Sequence, residues 1–258
     1  MNISCCIWAL SAPEEIALNR LAELGFAHVD VQALTYTNPP SRAQIDALGI
    51  AVCCVGLSFN MPAEAALDSP DQSVRQRALD HLARGLEQAA SYGADCAYVV
   101  PGEHPDGLDY FGQSMLAAAD LAASHNIALG IEHFPGKALP TAVDTLAYLR
   151  ALDHANLYLL LDSGHLQISQ EDPTSVIAQA GDRLCYVHLD DNDGQQDLHW
   201  GLCEGVMTRS ALSNLLDALQ DSPYQGPISL ELHPQLPDPE AALASSLHLL
   251  RDIRGVLR

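Results

Sequence analysis

The stretch IALGIEHFPGKALPTAVDTLAYLRALDHANLYLLLDSGH, residues 127–165, contains the repeating unit of the whole chain. It opens on an apolar run (127–134), continues as an amphipathic segment (140–152) and closes on a second apolar run (157–165). Both runs have the length of a strand buried on two faces, and the segment between them has helical spacing. A strand, a helix and a second strand in this order predict a parallel β–α–β unit.

Six further apolar runs flank this unit. They are ISCCIWAL (3–10), HVDVQAL (28–34), AVCCVGLSF (51–59), CAYVVPG (96–102), LCYVHLDD (184–191) and PISLELHP (227–234). Helix-like segments separate them at 13–25, 41–48, 72–92, 109–125, 173–180, 208–220 and 239–254. The segment PEEIALNRLAELG (13–25) carries Pro and Glu at its start and Gly25 at its end, which are start and stop signals. The segment 41–48 is the shortest, and Pro39-Pro40 precedes it. Eight strand-then-helix units predict an α/β fold, a single (β/α)8 TIM barrel occupying 1–258 as one domain. A doubly wound open sheet would be expected to carry a glycine-rich phosphate loop after its first strand, and none follows residue 10.

The bulk numbers agree. The chain has 258 residues, 48% of them apolar and 17% charged, enough to bury a large core and too few charges for a disordered chain. No apolar run reaches the roughly 18–20 residues of a membrane span. The start, MNISCCIWALSAPEE, lacks a basic n-region and reads as a first strand. A cytoplasmic protein with no membrane partner is expected. The net charge is -21, from 33 acidic and 12 basic residues, and Lys137 is the only lysine. No basic stripe is present, which argues against nucleic acid and anionic membranes. The seven cysteines show no CxxC spacing and lie mostly in apolar runs, so they read as buried thiols in a reducing compartment.

Four late strands share one feature: an apolar run meets a metal-capable residue near its C-terminal end. The residues are Glu132, Asp162, His188 and Glu231. Period-two alternation lets each point inward beside small or polar neighbours such as Gly130 and Ser229. Three carboxylates and an imidazole gathered at a barrel mouth repel one another unless a cation sits between them. The oxygen-rich set suits Mn²⁺, Mg²⁺ or Co²⁺, and Zn²⁺ also fits. Trp8, Phe59, Phe134 and Trp200 fall at or beyond strand ends, where a sugar pocket places aromatics, although core packing is the commoner fate of such residues.

The segments GIEHFPG, LDSGHLQISQEDP, YVHLDDNDGQQDLHWGLCEG and ISLELHP resemble the xylose isomerase-like TIM barrels, a family described as sugar phosphate isomerase/epimerase or AP endonuclease family 2. In the N-terminal half the resemblance rests on GFAHVDVQ, with Asp30 in the usual acidic place, and on Pro101-Gly102. It implies that Glu132, Asp162, His188 and Glu231 hold a divalent metal, and that Glu132 and Glu231 are catalytic, moving protons on either face of an enediolate. It gives His165 a substrate oxygen. Asp190 and His199, with Trp8, complete the expected substrate-binding set.

In the endonuclease IV-like branch an Asp-x-His pair after strand 7 binds additional metals, and Asp197 and His199 match it. That branch also carries histidines after strands 3 and 4. Here Ser58, Asn60 and Val100 stand at those places, and His104 is out of register. Phosphodiester chemistry is disfavoured accordingly. A dehydratase of the inosose or dehydroshikimate type is the alternative on the same scaffold. A barrel that binds a sugar without turnover would have no reason to keep four such ligands together. Loop 7 is acidic, and no lysine or arginine stands between Arg183 and Arg209, so an uncharged small-molecule carbohydrate is the expected substrate. A homo-oligomer is compatible with the fold, though no segment marks an interface.

Overall fold

The computed structural model describes residues 2–253 and Gly255. Its elements run β1 (Ile3–Cys5), α1 (Glu14–Leu24), β2 (His28–Gln32), α2 (Pro39–Leu48), β3 (Ala51–Gly56), α3 (Gln72–Tyr92), β4 (Cys96–Val99), α4 (Leu108–Ser124), β5 (Ala128–Glu132), α5 (Ala142–Leu152), β6 (Leu157–Asp162), α6 (Ser163–Ser169), α7 (Pro173–Ala180), β7 (Leu184–Leu189), α8 (Arg209–Asp221), β8 (Ile228–Leu230) and α9 (Pro239–Ile253). All neighbouring strands are parallel, in the order β1-β8-β7-β6-β5-β4-β3-β2. A lone parallel bridge between Cys6 and Asp30 brings β1 to β2 and nearly closes the ring. The fold is the (β/α)8 barrel that the alternation predicts.

Local chemistry explains where most elements stop. Gly25, Gly49 and Gly93 end α1, α2 and α3 in the left-handed conformation that costs glycine least. Helix α2 starts at Pro39, two residues earlier than its apolar pattern suggests. Proline is tolerated in a first turn, and the Asn38 side chain accepts from the Ser41 amide at 2.9 Å.

Three boundaries differ from the expected ones, and each serves the barrel mouth. The run 3–10 stops being a strand at Cys5, and Ile7–Ala9 forms a 3-10 turn that carries Trp8. The run 157–165 stops at Asp162, because its Oδ1 accepts the His165 amide at 2.8 Å and starts α6. Strand β8 ends at Leu230, which leaves Glu231 as the first residue of the loop. The expected helix over 239–254 ends at Ile253, and Arg254 lies outside the described residues.

One core lies between sheet and helices, and a second fills the barrel, built from Cys54, Cys96, Tyr98, Leu160 and Tyr186. Full burial of a leucine such as Leu160 contributes about 1.5–3 kcal/mol. Gly130 leaves room inside the barrel, since a Cβ there would sit 2.9 Å from Cys185 Sγ. All seven cysteines are free thiols, and four of them are buried. Among the described residues no helix is long and apolar enough to cross a membrane.

Candidate active site and metal centre

Strands β5, β6 and β7 end on Glu132, Asp162 and beside His188, and register pairs Asp162 directly with His188 and His188 with Ser229. Glu231 follows β8, and its amide is held by the Leu189 carbonyl at 3.2 Å. These four side chains converge. One ligand atom from each lies within 4.8 Å of the others, and all four residues are buried.

The geometry within the cluster is that of ligands rather than of hydrogen-bonded pairs. His188 Nδ1 stands 2.7 Å from Glu231 Oε2 and 3.5 Å from Glu132 Oε1, yet it lacks a properly directed hydrogen bond. Asp162 Oδ2 is likewise buried without a donor. Buried polar atoms left in this state are costly, and a shared cation would satisfy them together. The residues present therefore fit a divalent metal.

Electrostatics points the same way. Burial raises the Asp162 carboxyl well above the carboxylate range, and neighbouring Asp190 raises it further. At His188, burial opposes the charged ring, but Glu231, Cys6 and Glu132 together hold the ring well above its ordinary value. At Glu231 burial raises the carboxyl, but His188, His199 and the Trp8 indole together draw it down to about 2. Without a cation, protons must take over the neutralisation of crowded negative charge.

Behind His188 lies a second polar layer. Its Nε2 faces Asp30 Oδ2 at 3.8 Å and Cys6 Sγ at 3.8 Å. Asp30 is completely buried and accepts from Ser4 Oγ at 2.9 Å, from the Tyr186 hydroxyl and from the Cys6 thiol. Asp30 thus stands directly behind His188, a contact that its sequence position, 158 residues earlier, does not disclose.

The loop after β7 brings the remaining polar groups. Asp191, fully buried, accepts from the amides of Asn192, Gly205 and Met207, and its backbone pairs with Trp200. This frame presents Asp197 and His199. His199 adopts φ 45°, a left-handed conformation unusual for a side chain of its size. Its Nδ1 donates to the Glu231 carbonyl at 3.0 Å and lies 3.1 Å from Asp190 Oδ2, while Nε2 lies 3.0 Å from Asp197 Oδ1. His165 donates through Nδ1 to the His133 carbonyl at 2.8 Å, so Nε2 turns toward Asp197 at 3.4 Å. For His165 burial opposes the charged ring, but Asp162, Asp197 and Glu132 together push it up to about 10.

A cavity of about 390 Å³ opens over this cluster, within the range usual for small-molecule sites. Trp8, Phe59, Phe134, His165 and His199 line it, as the sequence suggests. Glu132 and Glu231 line it too, whereas Asp162 and His188 lie beneath it. Two expectations are corrected. Asp190 does not face the cavity: it is completely buried, and its Oδ1 accepts from Ser163 Oγ and the Gly164 amide, which braces the start of α6. Trp200 does not line the cavity either, because its backbone is tied to Asp191. Ser58, which stands where the endonuclease branch has a histidine, holds the Val100 amide at 2.8 Å. Tyr98 and His233 also line the cavity and were missed in the sequence. His233 stands two residues after Glu231, and that period-two spacing was the available signal.

The sequence pattern of the xylose isomerase-like TIM barrel family matches residues 18–253. The L-ribulose 3-epimerase of Mesorhizobium japonicum is 25% identical over 207 residues, which span 73% of this chain and 69% of that protein. The L-ribulose 3-epimerase of a Methylomonas species is 28% identical over 145 residues, 54% of this chain and 47% of that one. A crystal structure of D-psicose 3-epimerase in the presence of D-fructose superposes with a TM-score of 0.82 at 19% identity, over 99% of this chain and all (100%) of that one. The 3-keto-D-glucoside 4-epimerase of E. coli gives 0.82 at 20% identity, over 98% and 99% of the two chains. At such identities the superpositions speak for the fold.

Proposed function

The chain belongs to the xylose isomerase-like TIM barrel family, and from that premise we propose that it is a divalent-metal-dependent epimerase or isomerase of a small sugar or keto-polyol. The observation that carries this reading is the split within the four-residue cluster. Asp162 and His188 are sealed below the cavity, while Glu132 and Glu231 both belong to the cluster and face the cavity from different strands. Two carboxylates open to one bound molecule are what proton removal on one face and return on another require. Relatives described as L-ribulose 3-epimerases support the epimerase branch.

Glu132, Asp162, His188 and Glu231 would hold the cation. When bound, such an ion polarises a carbonyl and stabilises the charge that develops as the adjacent C–H is lost. The remaining work belongs to this chain's side chains. Glu132 takes or returns a proton at one face of the carbon next to the carbonyl, and Glu231 at the other. His165, its Nδ1 committed to the His133 carbonyl, presents Nε2 to a substrate hydroxyl. His199, its Nδ1 on the Glu231 carbonyl, turns Nε2 to Asp197 and lines the cavity beside it. Trp8, Phe59 and Phe134 cover the apolar faces of the sugar and exclude water.

An uncharged substrate fits the wall. Among the described residues Lys137 is the only lysine or arginine lining the cavity, and it is paired with Glu103. Seven free thiols suit a reducing, cytoplasmic setting.

The test is a panel of ketopentoses and ketohexoses incubated in D₂O. Deuterium uptake at the carbon beside the carbonyl, abolished by EDTA and by Glu132→Gln, is the expected result. Manganese binding without exchange on any ketose would overturn the reading. Loss of water, seen as a new ultraviolet-absorbing enone, would redirect it to a dehydratase.

A further inference from the structure

Trp8 and Glu231 lie 223 residues apart and meet at the barrel mouth, where the indole Nε1–H donates to Glu231 Oε1 at 2.9 Å. The other oxygen, Oε2, stands 2.7 Å from His188 Nδ1. One oxygen of this carboxylate is thus tied to the cavity wall and the other is left to the ligand cluster. The indole is itself fixed, because it lies against Phe59 with ring centroids 4.9 Å apart at 47°. The 3-10 turn over Ile7–Ala9 sets its height above β1.

Glu132 has no such restraint. Its carboxylate is approached by two imidazoles, His188 Nδ1 at 3.5 Å and His165 Nδ1 at 4.0 Å. Among the described residues no indole, amide or hydroxyl donates to it. The terminal torsion of a glutamate is broad and roughly two-fold, so the plane of a carboxylate without such a donor turns readily about its Cγ–Cδ bond. A single N–H on one oxygen removes that freedom. A proton-transfer group held in one orientation gains rate that a turning group loses.

We propose that Trp8 is a positioning residue for Glu231: its indole N–H fixes the plane of that carboxylate, so that Oε2 is the oxygen presented to the ligand cluster and the cavity. The inference rests on the epimerase or isomerase reading, in which Glu231 moves a proton. It makes the two glutamates unequal, one held by an indole N–H and one without such a donor. It also changes what Trp8 is for: the ring forms wall, and its polar edge sets the geometry of a base.

The test uses the full chain and two kinds of reading. Trp8→Phe keeps an aromatic ring and removes the donor, and kcat on the best ketose is expected to fall about 10–100-fold while KM stays within about threefold. Trp8→His, which restores a ring N–H, is expected to recover part of that loss. The second reading is spectroscopic. The chain has two tryptophans, and Trp200 does not line the cavity, so Trp200→Phe leaves Trp8 as the sole indole emitter. Manganese added to this variant is expected to quench the emission with the midpoint found by calorimetry.

A raised KM at unchanged kcat would reduce Trp8 to wall and overturn the proposal. So would a kcat loss that merely follows lost manganese. Manganese bound by calorimetry with Trp8 emission unmoved would overturn it as well, while leaving the functional reading intact. Failure of the parent protein both to bind manganese and to exchange any ketose would sink that reading first and this inference with it.

Discussion

The two halves of the barrel divide the labour. Strands β5 to β8 end on or beside residues that can hold a cation, Glu132, Asp162, His188 and Glu231. Strands β1 to β4 lead instead to Trp8, Leu34, Phe59 and Val100, three of which form the cavity wall. Asp30 and Trp8 are the exceptions in the early half: Asp30 stands behind His188, and the Trp8 indole donates to Glu231. The early half thus supplies much of the wall, while the late half supplies the four-residue cluster together with Phe134, His165 and His199.

The comparison breaks most sharply in the late half. Asp162→Asn or Glu132→Gln is expected to lower turnover by about 1000-fold or more, read as ketose epimerisation with manganese in excess. Equal loss from an early-half wall residue would contradict the division. Next comes the cation itself. Manganese at a hundredfold excess over its Kd should stabilise the fold by about 2.7 kcal/mol, a rise in Tm of roughly 5–10 °C, and EDTA should reverse it.

Asp30→Asn tests whether the early half stays out of metal binding. Because the Asp30 carboxylate backs His188, manganese affinity by calorimetry should fall about 10–100-fold, although residue 30 lies on β2. On the wall, Phe59→Ala should raise KM about tenfold and lower kcat less than Trp8→Phe does, since it removes aromatic surface and a neighbour of the Trp8 ring but leaves the indole N–H in place.

The smallest effect concerns His81 on α3, which is buried and supports the Phe59 carbonyl through Nε2 at 2.9 Å. Burial lowers the affinity of this ring for a proton in the fold. The unfolded chain then binds the proton better, so the contribution of His81 is complete above about pH 6.5 and declines as pH falls below it. The drop in Tm between pH 7 and pH 5 should be about 1–3 °C smaller in His81→Gln than in the parent.

The late half was also the legible half. An apolar run broken by one carboxylate or imidazole is visible in sequence because period two fixes which side chains share a face. The β/α alternation was legible for the same reason. What stayed hidden depends on contacts between distant segments. Asp30 meets His188, and Trp8 meets Glu231, only after the ring has nearly closed. Asp190 was misread as a substrate contact because an acidic loop looks alike whether it faces solvent or caps a helix. Helix α6 escaped notice because seven residues, Ser163–Ser169, are too few to show a period, and its start coincides with the end of a strand.

That coincidence has a price in separability. Asp162 gives Oδ1 to the first turn of α6 and keeps Oδ2 for the site above. Ion loading and the order of a short helix are consequently fastened to one side chain, so amide exchange across 163–169 should slow when the ion enters. A substitution at 162 that changes one is therefore expected to change the other.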